Sequence, residues 1–407
     1  MKKFPVTFLM AFGHCGLDWL HSLLDSHRQI LLFPALSFYR CWKMLGASLA
    51  KNEDEMFDMW QQYIVKYIGP DCKNEQKRFL HTHQEVKSFF LEFKKQLSSQ
   101  GISRVGVFWA LHLSWAYAKG IELDAIKAVV VHEHQPWPFE EILLDFKNAN
   151  TLMIMRDPRA SVAGIIKGRK IDFGYLPDFT FNMIFETWFQ AVDMWIKHGK
   201  ILGDRFKIVK NEELHDDLEA NMRDIACWLQ VDFDQSMLVS TYSSGKDYFP
   251  DSRYLDKANN SPVDYEDFYL PENIKKRWLG VLADKRDLLM IESLFNEIMG
   301  EFNYERITKR TFFSYLKGVI YFFLPNHALL KKWRGDYPNI EDLKRIENAL
   351  GRRSKILCLI WKILPSAIKF LLLIIVSILR RLNIYFFSKN RWVRYDNHLP
   401  IQSGVNK

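Results

Sequence analysis

The chain has 407 residues, of which 48% are hydrophobic and 15% aromatic, and carries a formal net charge of +8. That is enough apolar material for a large α/β core plus an extra module. The positive balance suits a polyanionic cofactor, an acidic substrate or an anionic membrane surface. It is spread too evenly for nucleic acid, with no basic run interleaved with stacking aromatics. Five cysteines, scattered at 15, 41, 72, 227 and 358, point to a reducing compartment and no disulfide framework. The start MKKFPVTFLMAFG imitates a secretion signal, but it lacks a small-x-small cleavage site and is better used as a first strand.

That strand is the apolar run Phe4–Ala11, and Gly13–His27 follows it as a glycine-flanked turn opening an amphipathic helix. Backbone N–H groups at such a turn, with roughly half a positive charge from the helix dipole, hold an anion without a dedicated side chain. The Gly-Lys-Ser/Thr ending of nucleoside-triphosphate loops is missing, which excludes a nucleotide kinase. Residues 35–125 read as mostly helical, with Trp42, Trp60, Trp109 and Trp115 available for packing or for lining an acceptor cleft. A second strand-like run, Ala128–Val131, ends in His132-Glu133-His134-Gln135-Pro136. A third, Thr151–Met155, ends in Arg156-Asp157-Pro158-Arg159, after which Ala160–Lys167 reads as a helix with Pro158 near its start. Cations at a helix start are unfavourable unless an anion is near, which favours Arg156 as a ligand residue. Three strand ends thus carry an anion loop, a histidine cluster and an arginine, where open parallel sheets bind ligands.

These motifs, in this order, resemble the sulfotransferase family over about residues 4–304. Members of that family move a sulfuryl group from 3′-phosphoadenosine 5′-phosphosulfate to a hydroxyl or amine. The resemblance implies a P-loop-like α/β fold, a parallel sheet flanked by helices. The family's Lys/Arg-Ser-Gly-Thr-Thr loop, which wraps the 5′-phosphosulfate, falls on His14, Cys15, Gly16, Leu17 and Asp18, with Gly13 before and Trp19 and Leu20 after. The glycine and the apolar pair match. The Lys-Thr-His-x-Pro strand end, which carries the catalytic base, falls on residues 132–136 and makes His134 the base, with Glu133 as second choice or as histidine orienter. The arginine that grips the 3′-phosphate is Arg156. The family's serine falls on Gly164, and Ser161, on the same helix face, is its substitute. Phe206–Lys210 with Asn211-Glu212-Glu213-Leu214 resembles the next strand and its Tyr-Glu-Asp-Leu stretch, and Ala220–Leu229 the following helix. Ser240–Ser252 is similar to a loop that folds over the nucleotide, with Lys246 and Arg253 placed to meet phosphate.

The departures fall on the chemistry. His14 stands where a Lys or Arg balances charge on the bridging oxygen, and can act there as imidazolium or as a neutral donor, so it is a second catalytic candidate. A carboxylate at Asp18 facing the phosphosulfate at about 4 Å would cost about 4 kcal/mol at an effective dielectric near 20. Asp18 is therefore expected to point away, capping the first helical turn or pairing with His14. Cys15 opens a helix, which suggests a nucleophile, but its alignment with the family's serine gives it a backbone role. His81-x-His83 and His132-x-His134 have metal-ligand spacing, yet no Cys-x-x-Cys or acidic residue at matching spacing completes a set, so no metal is expected.

The organisation changes near residue 308, after a helix read over Pro271–Gly300, giving a 1–308 catalytic domain and a 309–407 helical appendage. Ile356–Leu379 is almost wholly apolar, but Lys362, Pro365 and Lys369 lie within it, and each lysine costs about 2.5–3.5 kcal/mol at a bilayer centre. At 100° per residue Lys355, Lys362, Ser366, Lys369, Ser377 and Arg380 form one narrow polar stripe. Such a helix lies in an anionic membrane interface, or packs on the catalytic domain or a second subunit as a homodimer contact. The expected function is sulfuryl transfer to a carbohydrate or glycolipid hydroxyl at the cytoplasmic face of a membrane. The alternative is a catalytically silent member serving as a membrane-bound nucleotide or partner binder.

Overall fold

A computed structural model of the chain describes residues 4–11, 13–33, 37–71, 79–134, 138–173, 188, 199, 201–242, 245–247, 274–275, 278–279, 281–282, 285–324, 364 and 366–387. In chain order the elements are β1 (Val6–Ala11), α1 (Leu17–Leu24), β2 (Ile30–Phe33), α2 (Phe38–Leu45), α3 (Glu53–Ile68), α4 (His83–Gln100), α5 (Arg104–Ala118), β3 (Ala128–His134), α6 (Phe139–Asp145) and β4 (Asn150–Met155). They continue with α7 (Pro158–Phe173), β5 (Phe206–Lys210), α8 (Asn211–Asp216), α9 (Leu218–Leu229), β6 (Thr241–Tyr242), β7 (Lys246–Asp247), α10 (Lys285–Leu294), α11 (Asn296–Glu301), α12 (Phe312–Phe323) and α13 (Ser366–Phe387). The chain divides into two compact units, Met1–Arg156 with Met194–Lys275, and Asp157–Asp193 with Lys276–Lys407.

The first unit holds a five-stranded sheet in the order β2-β3-β1-β4-β5, every pairing parallel. All six residues of β1 are buried, the unbroken apolar pattern of a strand covered on both faces. β1 lies between β3 and β4, so the chain leaves its end in the crevice where the strand order reverses, the ligand position of open α/β sheets. Aromatic packing fills the helical layer. Phe38 stacks on Trp60 at 5.8 Å, Phe33 meets Trp115 edge-on at 5.5 Å, and Trp60 and Trp115 have no exposure. These two tryptophans are core. Trp42 is buried as well, against Phe38, and Trp109 packs on Phe4 and Phe146.

In the second unit, α7 opens with Pro158 as its first residue, where a missing N–H costs nothing. α12 lies close on α10, since a Cβ at Gly318 would stand 2.1 Å from the Ser293 Oγ. The single helix expected over Pro271–Gly300 is interrupted. The Trp278 carbonyl accepts the N–H groups of Val281 and Leu282 in a turn, and Phe295 separates α10 from α11. The described part of the tail helix, Ser366–Phe387, continues past its expected end at Leu379, while residues 356–363 lie outside the described residues. Its Arg381 is buried and donates to the carbonyls of Phe322 and Leu324 at the end of α12. Among the described residues, no helix is long and apolar enough to cross a membrane.

Candidate active site

The loop after β1 has the shape its sequence requires. Gly16 precedes α1 with φ +95°, and a Cβ there would stand 2.2 Å from the Asn211 Nδ2, so both backbone and space demand glycine. His14 is also left-handed, at φ 60°, and its carbonyl accepts from the Arg156 Nη1 at 3.2 Å. Cys15 is 1% exposed and its Sγ faces the Gly13 carbonyl, the geometry of a loop residue rather than a presented nucleophile. Leu17 is buried under the first turn, and the Trp19 ring stacks on His215 of α8 at 3.9 Å.

Asp18 does not cap α1, which has no side-chain cap. It points along the loop toward β3, with Oδ1 3.6 Å from the His132 Nε2. The expected partner, His14, is replaced by a histidine on the neighbouring strand: His132 stands opposite Leu9 in the β1–β3 pairing, and a register shift after Leu9 then sets His134 opposite Met10. His134 itself has φ 68°. His132 lies within 3.2 Å of the His21 Nδ1 through its own Nδ1, and within 3.3 Å of the His134 Nδ1 through its Nε2. The rings of His132 and His134 are stacked at 5.5 Å. Burial holds His132 well below the ordinary histidine pKa, with His21 and His134 adding to the shift. Burial likewise lowers His21 to about 4, against the opposing pull of Asp25 and Asp18. Both are neutral imidazoles at physiological pH.

Glu133 does not face the histidine cluster. The strand turns it to the opposite face, where it is 1% exposed and its Oε2 accepts the Tyr39 N–H at the start of α2. Burial pushes its pKa well above the usual carboxyl range despite the N–H groups of Tyr39, Arg40 and Phe38, and the Oε1 has no hydrogen-bond partner.

Arg156 follows β4 and is 8% exposed. Besides the His14 carbonyl, its Nη2 reaches the Ile274 carbonyl at 3.4 Å, and the buried Nε has no hydrogen-bond partner. No described carboxylate pairs with it. Arg159 is the opposite case: it pairs with Asp157 at 2.6 Å and with Glu292 at 2.7 Å, and lies over the Trp278 ring at 4.5 Å. Glu292 also accepts the N–H groups of Ile307 and Thr308. Ser161 and Gly164 lie on α7, Ser161 with no exposure. Arg253 lies outside the described residues. From Ser240–Ser252 the structure describes the hairpin β6/β7, tied down by the Thr241 hydroxyl and the Gly245 N–H, both donating to the Asp25 carboxylate.

Sheet order, glycine loop and strand-end arginine define a P-loop-like α/β protein, with the loop and the arginine side by side at its switch point. The family model described as the sulfotransferase family matches residues 5–235, and the chain belongs to that family. It is a sulfotransferase. Among solved structures, the sulfotransferase domain from the curacin biosynthetic pathway is 16% identical, covering 75% of this chain and 100% of that one at a TM-score of 0.47. The sulfotransferase domain of the Synechococcus PCC 7002 olefin synthase is 15% identical over 75% and 97% at 0.46. A sulfotransferase from Mycobacterium avium is 10% identical over 76% and 79% at 0.39. No curated protein matches the chain significantly.

Proposed function

We propose that this sulfotransferase uses 3′-phosphoadenosine 5′-phosphosulfate as donor and sulfates a hydroxyl of a carbohydrate or glycolipid acceptor at the cytoplasmic face of a membrane. The observation that carries the donor assignment is Arg156, a buried cation with an unused Nε–H donor beside the loop, which is what a phosphate ligand requires. When bound, the donor supplies an activated sulfuryl group on a phosphate leaving group. The loop N–H groups from Gly13 onward and the start of α1 favour the anion at the end of β1. His14 is the loop residue assigned to donate toward the leaving oxygen.

The histidines then define the base. With His134 donating from Nδ1 to the His132 Nε2, and His132 donating from Nδ1 to the His21 Nδ1, both close contacts are satisfied. His134 keeps the lone pair on its other nitrogen, which takes the acceptor hydroxyl's proton. The Asp18 carboxylate, whose oxygen lies within 4.8 Å of the His134 nitrogen, stabilises the imidazolium so formed. Calorimetric titration with 3′-phosphoadenosine 5′-phosphate tests the donor assignment, and failure to bind would remove it.

The membrane placement rests on α13. Ile368, Leu371, Leu372, Ile375, Leu379 and Phe386 are all exposed, and at 100° per residue they lie within about 60° of one line. On α12, Phe312, Phe313, Leu316 and Ile320 are exposed as well. Apolar stripes of this length suit burial at a lipid headgroup boundary, which is the support for a lipid-linked acceptor. Flotation of the full-length chain with anionic vesicles tests it. Protein that stays in the soluble fraction, or a dimer in its place, would leave the glycolipid acceptor without support.

A further inference from the structure

The sequence offers His132 and His134 without a third ligand, and the fold supplies it. Asp18, from the start of α1, brings a carboxylate oxygen to the two strand-end histidines so that one ligating atom of each residue lies within 4.8 Å of the others. Two of the three edges are 3.3 Å, between the His132 Nε2 and the His134 Nδ1, and 3.6 Å, between the His132 Nε2 and Asp18 Oδ1. Tetrahedral ligands about 2.0–2.1 Å from a zinc ion stand about 3.3 Å apart, so these edges are those of a zinc site. The exposed Asp18 side chain can close the third edge by rotation. The outer shell is also in place, because the His132 Nδ1 already faces the His21 Nδ1 at 3.2 Å, which fixes His132 with its Nε2 lone pair toward the other two ligands.

We propose that Asp18, His132 and His134 form a three-ligand site for a divalent transition metal of the zinc type, with a fourth position left for water, and that its occupation switches the enzyme off. Two imidazoles and one carboxylate are a borderline donor set, suited to Zn²⁺ over Mg²⁺ or Ca²⁺. In the metal-free protein a proton on the His134 Nδ1 bridges to His132. When the ion takes that lone-pair direction, the neutral His134 ring must carry its proton on Nε2, the nitrogen that otherwise accepts the acceptor's proton. The ring changes tautomer, no net proton is released, and the base is withdrawn. The ion also turns Asp18 from a like charge beside an anion site into a ligand.

The site is tested on the full-length protein, stripped of metal by dialysis against a chelator and then titrated with Zn²⁺ against a chromophoric competitor. One equivalent is expected to bind, and Co²⁺ in its place is expected to give the intense visible bands of a tetrahedral site. Asp18→Asn and His134→Ala should each weaken Zn²⁺ by at least about tenfold, while His81→Ala should not. Asp18 is exposed, so its variant keeps the test decisive even where a change at buried His132 unfolds the protein, and circular dichroism reads the fold of each. Absence of stoichiometric Zn²⁺, or an affinity unmoved by both ligand variants, overturns the site. Release of 3′-phosphoadenosine 5′-phosphate from the donor should be inhibited by Zn²⁺ and restored by chelation; activation by Zn²⁺ overturns the switch. An enzyme inactive in chelated buffer that still binds Zn²⁺ would count against the base assignment and leave the metal site standing.

Discussion

Replacing Arg156 with alanine deletes a buried guanidinium that makes two long hydrogen bonds, at 3.2 and 3.4 Å, and has no described carboxylate partner. Losing those bonds costs about 1 kcal/mol, and ending the burial of an unbalanced cation offsets it, so the nucleotide-free variant should melt close to wild type. Nucleotide affinity behaves differently. A charge-assisted contact to a desolvated phosphate is worth about 2–4 kcal/mol, or about 30- to 700-fold in Kd. Titration calorimetry with 3′-phosphoadenosine 5′-phosphate and with adenosine 5′-phosphate separates the contribution of the 3′-phosphate. Wild type should prefer the 3′-phosphorylated nucleotide, and Arg156→Ala should lose most of that preference. A variant that binds it as tightly as wild type, or keeps the full preference, refutes the assignment.

Arg159→Ala should instead damage the fold, by about 3–5 kcal/mol, because it strands Asp157 and the unexposed Glu292 without their cation; an unchanged Tm in thermal unfolding would contradict this. Glu133 has a folded-state pKa raised by burial, so its contribution is complete below the unfolded carboxyl pKa of about 4.3 and is lost as pH rises toward the folded value. Glu133→Gln should therefore raise Tm at pH 8, gain little near pH 4, and keep turnover, whereas loss of turnover with Tm intact would restore Glu133 as the base. Leu371→Glu with Leu379→Glu on the exposed stripe should release the protein from anionic vesicles with its Tm unchanged. These point changes test the membrane better than truncation at residue 309, which would strip Gly318 and the fully buried Phe322 from the second unit.

Much of the site could be read in the chain because it sits at strand ends, where an apolar run stops and polar residues begin. The strand Phe206–Lys210 has the expected bounds, β3 and β4 extend their expected apolar runs by one to three residues, and Gly16 is required by both its φ and its surroundings. What escaped depends on partners distant in sequence. Asp18 meets His132, far along the chain on a neighbouring strand, a contact that no spacing announces. The role of Arg159 is set by Glu292, a partner 133 residues away. Glu133 followed strand alternation to the far face, but its partner, the start of α2, could not be seen from periodicity alone. The outward apolar stripe of α13 lies on a different side from the expected polar stripe at 100° per residue, and periodicity alone does not say which side is exposed.

Turnover is read most directly as release of 3′-phosphoadenosine 5′-phosphate from 3′-phosphoadenosine 5′-phosphosulfate, with a hydroxylated glycolipid in anionic vesicles as acceptor. Wild type should release the nucleotide only when acceptor is present, and His134→Ala should lower the rate by about a hundredfold or more with donor affinity nearly intact. Wild-type turnover that persists at full rate in His134→Ala, or wild type that binds the nucleotide yet releases none with this acceptor, would contradict the central claim.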